Sequence, residues 1–341
     1  MKKIIITLGL MAACVMATSA QSLSPQYSSE AKQGGRQAIL QNIVNNMVCV
    51  APPSGKTHSS FMMGTPGNPS TEPIFADAAP VHQVFLSTYW IGKYEVTQEE
   101  YEAVMGASAN HSLIKGKDLP VTNVSWNDAL KFCEKLSSMT GLKFVMPTEA
   151  QWELAARGGD WMNAPYTIYS GPIEKTRKLS EVASCFFNTD YALGYGSHPV
   201  TAIKDMEKAL KKIDSEGGAY TEKLKKLDKW YEEHRLVPRT RAWVKQNIQP
   251  NRLGIYDMSG NVSEWCYDSY EFGYPDKRQT DPVVKKGAAK VYRGGNFMSQ
   301  TSSEEEMTFV WMRNCTHGTA KDALGNPGSN MIGIRLAIWT K

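Results

Sequence analysis

Two carboxylates, an amide and a glycine fall within eight residues in the run Leu253-Gly-Ile-Tyr-Asp257-Met-Ser-Gly260-Asn261-Val262-Ser263-Glu264-Trp265. That mixture can line an oxygen cage for a hard cation, since Ca²⁺ takes about six to eight oxygens from carboxylates, amides and backbone carbonyls. A glycine lets the backbone curl enough to aim carbonyls inward. The same spacing equally serves an ordinary turn capped by Asp257 and Asn261 ahead of a buried Trp265. The residues alone weigh the two readings level.

Other chemistries find less support. His82, His111, His198 and His317 are scattered, without a neighbouring Ser or Cys that would make a hydrolase triad. Gly194-Tyr-Gly196-Ser-His-Pro199 has a proline where a dinucleotide loop needs its third glycine, so it reads as a loop. No Cys-x-x-Cys pair and no Cys/His spacing of zinc-ligand type occurs.

The elements that must position the run are short. Thr97-Gln-Glu-Glu100, Ser125-Trp-Asn-Asp128 and Thr148-Glu-Ala-Gln151 each carry a capping box, which predicts three helix starts. Gly106 and Gly158-Gly159 predict the ends of the first and third helices. Phe61 to Gly64 and Val81 to Leu86 alternate like strands. Cys133 shares an apolar helical stripe with Ala129, Leu130 and Leu136, which makes it a buried small hydrophobe. Trp126, Trp152, Trp265 and Tyr256 are expected in the core. With Gly, Pro, Asn and aromatics dense between elements, the fold class is an irregular α+β domain.

The chain has 341 residues and a net charge of +4. Lys2 and Lys3, the apolar run Ile4 to Val15 and Ala17-Thr-Ser-Ala20 read as a signal peptide over 1–20, followed by a polar leader over 21–43. Cys14 allows an N-terminal lipid as the one membrane attachment, though apolar Val15 and Met16 favour plain export to the periplasm or cell surface of a bacterium. Cleavage leaves five cysteines, an odd number for an oxidising compartment, so at least one thiol is left without an internal partner. Residues 204–245 carry twelve Lys and Arg against eight Asp and Glu, a local excess equal to the net charge of the whole chain. Helical spacing on either side of Gly217-Gly218 predicts an inserted charged hairpin. Its interleaved acids exclude nucleic acid as a partner.

Several ordered segments point one way: Phe61-Met-Met-Gly64, Tyr89 to Thr97, Leu119 to Trp126, Met146-Pro-Thr-Glu-Ala-Gln-Trp-Glu-Leu-Ala-Ala-Arg-Gly-Gly159, Arg293-Gly-Gly-Asn-Phe297 and Ile332-Gly-Ile-Arg-Leu-Ala337. With the opening run, they resemble the formylglycine-generating enzyme, or sulfatase-modifying factor, family over residues 44–341 outside the insertion. The resemblance implies one compact domain related to C-type lectins and low in regular secondary structure. It also implies a structural Ca²⁺ site with the side chains of Asp257 and Glu264 and the carbonyls of Gly260 and Val262 as ligands, which tips the balance towards the cage.

The family's named activity is aerobic oxidation of a substrate cysteine to formylglycine in sulfatases. The resemblance assigns that activity to two cysteines five residues apart after Arg-Gly-Gly, whose thiolates select copper as Cu(I). Here Glu304 stands near the place of the first, within the acidic run Glu304 to Glu306, and Cys315 is the only cysteine that follows. Ser263 replaces a family tryptophan that faces the substrate groove, so an altered groove is expected around Ser263, Glu304, Arg313 and Cys315. These departures argue against copper. They point to an exported non-catalytic scaffold for an envelope protein or glycan. The alternatives are a copper-dependent oxidase and a structural subunit of a secretion or surface-assembly machine, with the hairpin as its docking element.

Overall fold

The computed structural model describes residues 22–65, 73–159, 236–297, 312–319 and 328–340 continuously. It also describes 169–171, 179–184, 190–191, 309–310 and residues 208, 212, 215 and 299. The first half comprises α1 (Arg36–Asn45), β1 (Met47–Val50), β2 (Ser59–Met63), β3 (His82–Leu86), β4 (Tyr89–Gly92), α2 (Gln98–Met105), α3 (Trp126–Thr140), β5 (Phe144–Val145) and α4 (Glu149–Ala156). The second half comprises α5 (Leu179–Val182), β6 (Asp190–Tyr191), β7 (Leu236–Val237), α6 (Arg241–Asn247), β8 (Ser263–Ser269), β9 (Gln279–Thr280), β10 (Ala289–Arg293), β11 (Asn314–His317), β12 (Ile332–Gly333) and β13 (Ala337–Trp339).

All three capping boxes form. Thr97, Ser125 and Thr148 each accept from the third helical N–H, while Glu100, Asp128 and Gln151 reach back to the cap. α2 ends at Gly106, and left-handed Gly158 and Gly159 follow α4, as the sequence predicts. α3 buries Ala129, Phe132, Cys133, Leu136 and Met139 along one stripe, while Leu130 sits at its half-buried margin.

Among the described residues the strands make small sheets. One has the order β1-β4-β13-β5, so the last strand completes a sheet begun by the first. A second, β11-β10-β8-β12, carries the opening motif on β8, antiparallel to β10 and parallel to β12. A third, β2-β3-β9, lies over α4 through the cluster of Phe61, Met63, Val84 and Trp152.

Indole N–H groups lace these layers together. Trp126 Nε1 donates to the Cys266 carbonyl at 2.8 Å, and Trp265 Nε1 donates to the Val124 carbonyl at 3.0 Å, fastening the start of α3 to β8. The three tryptophans are buried, but Tyr256 is only half-buried, stacked on Tyr94 with ring centroids 5.1 Å apart. A single aromatic next to Asp257 does not reveal that its face is turned outward.

Two boundaries differ from expectation. The segment read as a polar leader is part of the body: Gln26 and Ser28 donate backbone N–H to Thr140 and Met139 at the end of α3, and α1 buries Leu40, Ile43 and Val44. Its polar residues mask an i, i+3, i+4 apolar triad. At the other boundary, α6 belongs to the body rather than to the 204–245 hairpin. Buried Arg241 forks onto Glu100 of α2, with both N–O distances 2.6 Å. The rest of the hairpin lies outside the described residues, except Lys208, Lys212 and Ser215, which are helical and exposed. The signal segment, Gly194 to Pro199 and Glu304 to Glu306 also lie outside them. Among the described residues no helix is long and apolar enough to cross a membrane.

Candidate functional site

The Asp257–Glu264 run is a tight turn that feeds β8. Asp257 and Asn261 adopt left-handed φ values of 57° and 56°, a conformation that short polar side chains tolerate best among non-glycine residues. Gly260 packs on the Ser184 carbonyl oxygen so closely that a Cβ there would collide with it. The two Asp257 oxygens accept from the backbone N–H of Ser184 at 2.6 Å and from its hydroxyl. Asn261 accepts from the Arg239 N–H at 2.7 Å. The turn therefore gathers the chain segments at 184 and 239.

Glu264 is fully buried and meets Arg335 in a fork, with Nε at 2.8 Å from both oxygens and Nη2 at 2.6 Å from one. Trp152 Nε1 adds a bond of 2.6 Å, and Arg335 donates onward to the Gly92 and Tyr256 carbonyls. Glu95 joins this charge cluster with one carboxyl oxygen buried and unpartnered. Burial pushes Glu95 up to about 8 and Asp257 up to about 6; Arg335 opposes both shifts and Glu264 reinforces them.

Asp257, Glu264 and Glu95 are thus buried around Arg335, and Arg241 also acts on Glu95. Both Glu264 oxygens are taken by Arg335 and Trp152, so of the two expected side-chain ligands only Asp257, whose oxygens each accept one bond from Ser184, is open to a cation at the curled turn. Among the described residues no three His, Cys, Asp or Glu side chains converge as a metal site. A cation at the turn would draw on backbone carbonyls beside Asp257.

The residues expected around a groove do not share one place. Ser263 is buried, its hydroxyl donating to the Gly295 carbonyl at 2.7 Å, so it closes the base of the Gly294-Gly295 turn. Arg313 is buried and forks onto Glu149 at 2.7 and 3.0 Å, while Nη1 donates to the carbonyls of Asp77 and Glu271. Its guanidinium lies over the Tyr270 and Tyr274 rings, 5.0 and 4.3 Å from their centroids. Exposed Cys315 follows on β11, and Glu304 lies outside the described residues. Deeper in, Glu153 binds Arg157 and Arg293. Burial opposes its ionisation, but the two guanidiniums outweigh burial and hold the carboxyl below its ordinary value.

Sequence reasoning missed Arg335, Glu95, Glu149, Asp268 and Ser184 as members of these networks. One signal was available: Arg335 sits between Ile334 and Leu336 in an apolar run, and an arginine there must find a buried partner.

Among the described cysteines, Cys49, Cys133, Cys266 and Cys315 are unpaired thiols. Cys266 is buried on β8, and Cys315 pairs with Val291 of the intervening β10. With strands about 4.8 Å apart, two strand spacings put the backbones near 10 Å apart. Burial raises both thiols above their ordinary range.

Comparison with known proteins places this architecture. A model of the sulfatase-modifying factor enzyme 1-like domain matches residues 41–337. The chain is 26% identical to the chaperone protein LppX of Paenibacillus barcinonensis, over 65% of this chain and 74% of that one. It is 27% identical to the formylglycine-generating enzyme of Thermomonospora curvata, over 54% of this chain and 46% of that enzyme, so it spans less than half the enzyme's length. The solved Treponema denticola variable protein 1 superposes with a TM-score of 0.55 at 23% identity, covering 86% of this chain and 94% of that one. The mixed helix and sheet architecture is that of a single formylglycine-generating-enzyme-type domain, a fold akin to C-type lectins. The chain belongs to the sulfatase-modifying factor enzyme 1-like domain family.

Proposed function

We propose that this chain is an exported, non-catalytic member of the family, acting as a binding scaffold for a protein in the bacterial cell envelope. The carrying observation is that Cys315 is the only cysteine after Arg293-Gly294-Gly295. Cys266, the other thiol on that sheet, lies across β10 from it. Two thiolates separated by a whole strand do not share one copper ion. The burial of Ser263 supports the reading from the substrate side, since no large aromatic projects there. The likeness to a protein named as a chaperone, over 65% of this chain, favours a protein over a glycan as partner.

A structural Ca²⁺ belongs to the same proposal, held by the Asp257 side chain and the carbonyls of Gly260 and Val262; Glu264, expected as a further ligand, is spent on Arg335 and Trp152. It would neutralise buried Asp257 and pin the 184 and 239 segments to β8. Metal analysis of the purified chain, joined to a peptide-oxidation assay, tests both parts. Calcium without copper or turnover is the expected result; bound copper with aldehyde formation overturns it.

A further inference from the structure

A second site lies under the 271–275 loop. A small cleft is walled by Met63, Glu149, Asp268, Tyr274, Pro282 and Arg313, with Glu271 at its rim. Its resident cations are fully engaged. Arg313 donates to Glu149, Asp77 and Glu271 through all three of its nitrogens. Arg293, deeper, is held by Glu153, Glu149 and the Val310 and Met312 carbonyls. Lys290, the basic group on the neighbouring strand, donates to Ser269 at 2.8 Å and lies 4.1 Å from the Trp126 ring centroid.

Among the described residues Asp268 makes no ion pair, and Arg313 and Lys290 act on it only through space. It is only 4% exposed, and its two oxygens accept just the backbone N–H groups of Glu149 and Val284, each at 2.8 Å. Among the described residues neither Asp268 nor exposed Glu271 has a cation within ion-pair distance. A buried carboxyl hydrogen-bonded only by neutral donors beside an open cleft keeps lone pairs that a ligand's positive charge can meet. The walls complete the requirement, because Met63, Tyr274 and Pro282 offer an apolar channel for an alkyl stem. Phe272, 76% exposed on the rim loop, gives a macromolecular partner an apolar anchor that a free amine would not use.

We propose that this cleft receives a lysine side chain of a protein partner, its ammonium meeting Asp268 and Glu271 while its methylenes lie along Met63, Tyr274 and Pro282. The proposal deepens the scaffold reading and rests on it. Lysine fits better than arginine because each Asp268 oxygen already takes one N–H. A compact ammonium with three rotatable donors can use the lone pairs that remain, whereas a planar fork needs two aligned in one plane.

The test titrates the full mature chain with Nα-acetyl-lysine N-methylamide and, separately, with the norleucine analogue, following backbone amide resonances by NMR. Saturable shifts at Gly273 and Tyr274 with the lysine compound alone are expected. Glu271→Gln should weaken binding about tenfold, the loss of roughly one charge-assisted hydrogen bond; Asp268→Asn should abolish it. Equal shifts with norleucine, no saturable shift with lysine, or unchanged binding in folded variants would overturn the proposal. If Asp268→Asn does not fold, the exposed Glu271→Gln decides. A chain that binds an envelope protein but not the lysine amide loses this cleft and keeps the scaffold. One that binds the amide yet oxidises a peptide keeps the cleft and loses the scaffold.

Discussion

Glu264 and Arg335 form a fully buried fork between residues 71 positions apart. Removing one partner strands the other in the interior, so Arg335→Met is expected to cost about 3–5 kcal/mol in denaturant unfolding. The double variant with Glu264→Met should recover much of that loss; strictly additive costs would show that the pair is not coupled. The Asp257–Glu264 turn was legible in the sequence because its spacing with Gly260 is local, whereas its binding of a cation is a proposal. Arg335 lies in Ile332-Gly-Ile-Arg-Leu-Ala337, but its role was not legible, since pairing across the fold leaves no mark on spacing. Arg313 was expected at a groove for the same reason: nothing in Met312-Arg-Asn314 announces that Glu149 captures the guanidinium.

Elements with local signals were read well, and those made by distant pairing were not. The capping boxes at Thr97, Ser125 and Thr148 placed three helices because each box satisfies orphan N–H groups within four residues. Thr148→Ala should therefore lower stability by about 1 kcal/mol, measured by urea unfolding. No change would mean that Gln151 and the neighbouring Asp268 carboxylate cap α4 unaided. β8 escaped notice because nearly all of Ser263-Glu-Trp-Cys-Tyr-Asp-Ser269 is buried, which erases the in-and-out alternation of a half-buried strand. Two-residue strands such as β5 and β12 exist only through partners far along the chain. α1 was missed because three apolar residues among polar ones gave too weak a period to outweigh composition.

At the scale of the whole molecule, titration and metal binding give global readouts. Burial, reinforced by Glu149, pushes Asp268 up to about 7 from an ordinary 3.8. Between those values the folded chain keeps a proton that the unfolded chain has lost, so this group's contribution weakens stability as pH rises from about 4 to about 7. Asp268→Asn should flatten the melting temperature across that window; an unchanged slope would assign it to other groups. Chelation should lower the melting temperature if calcium is bound, by the equivalent of about 2.7 kcal/mol when the free ion stands a hundredfold above its dissociation constant. Identical melting with and without chelator would remove the ion from the account. The proposed scaffold role excludes oxidation of a substrate cysteine by this chain. Its most direct test incubates the mature chain with Cu(I), oxygen and a Cys-x-Pro-x-Arg peptide and follows the peptide by mass spectrometry. The account predicts unchanged peptide; conversion of its cysteine to the aldehyde would contradict it.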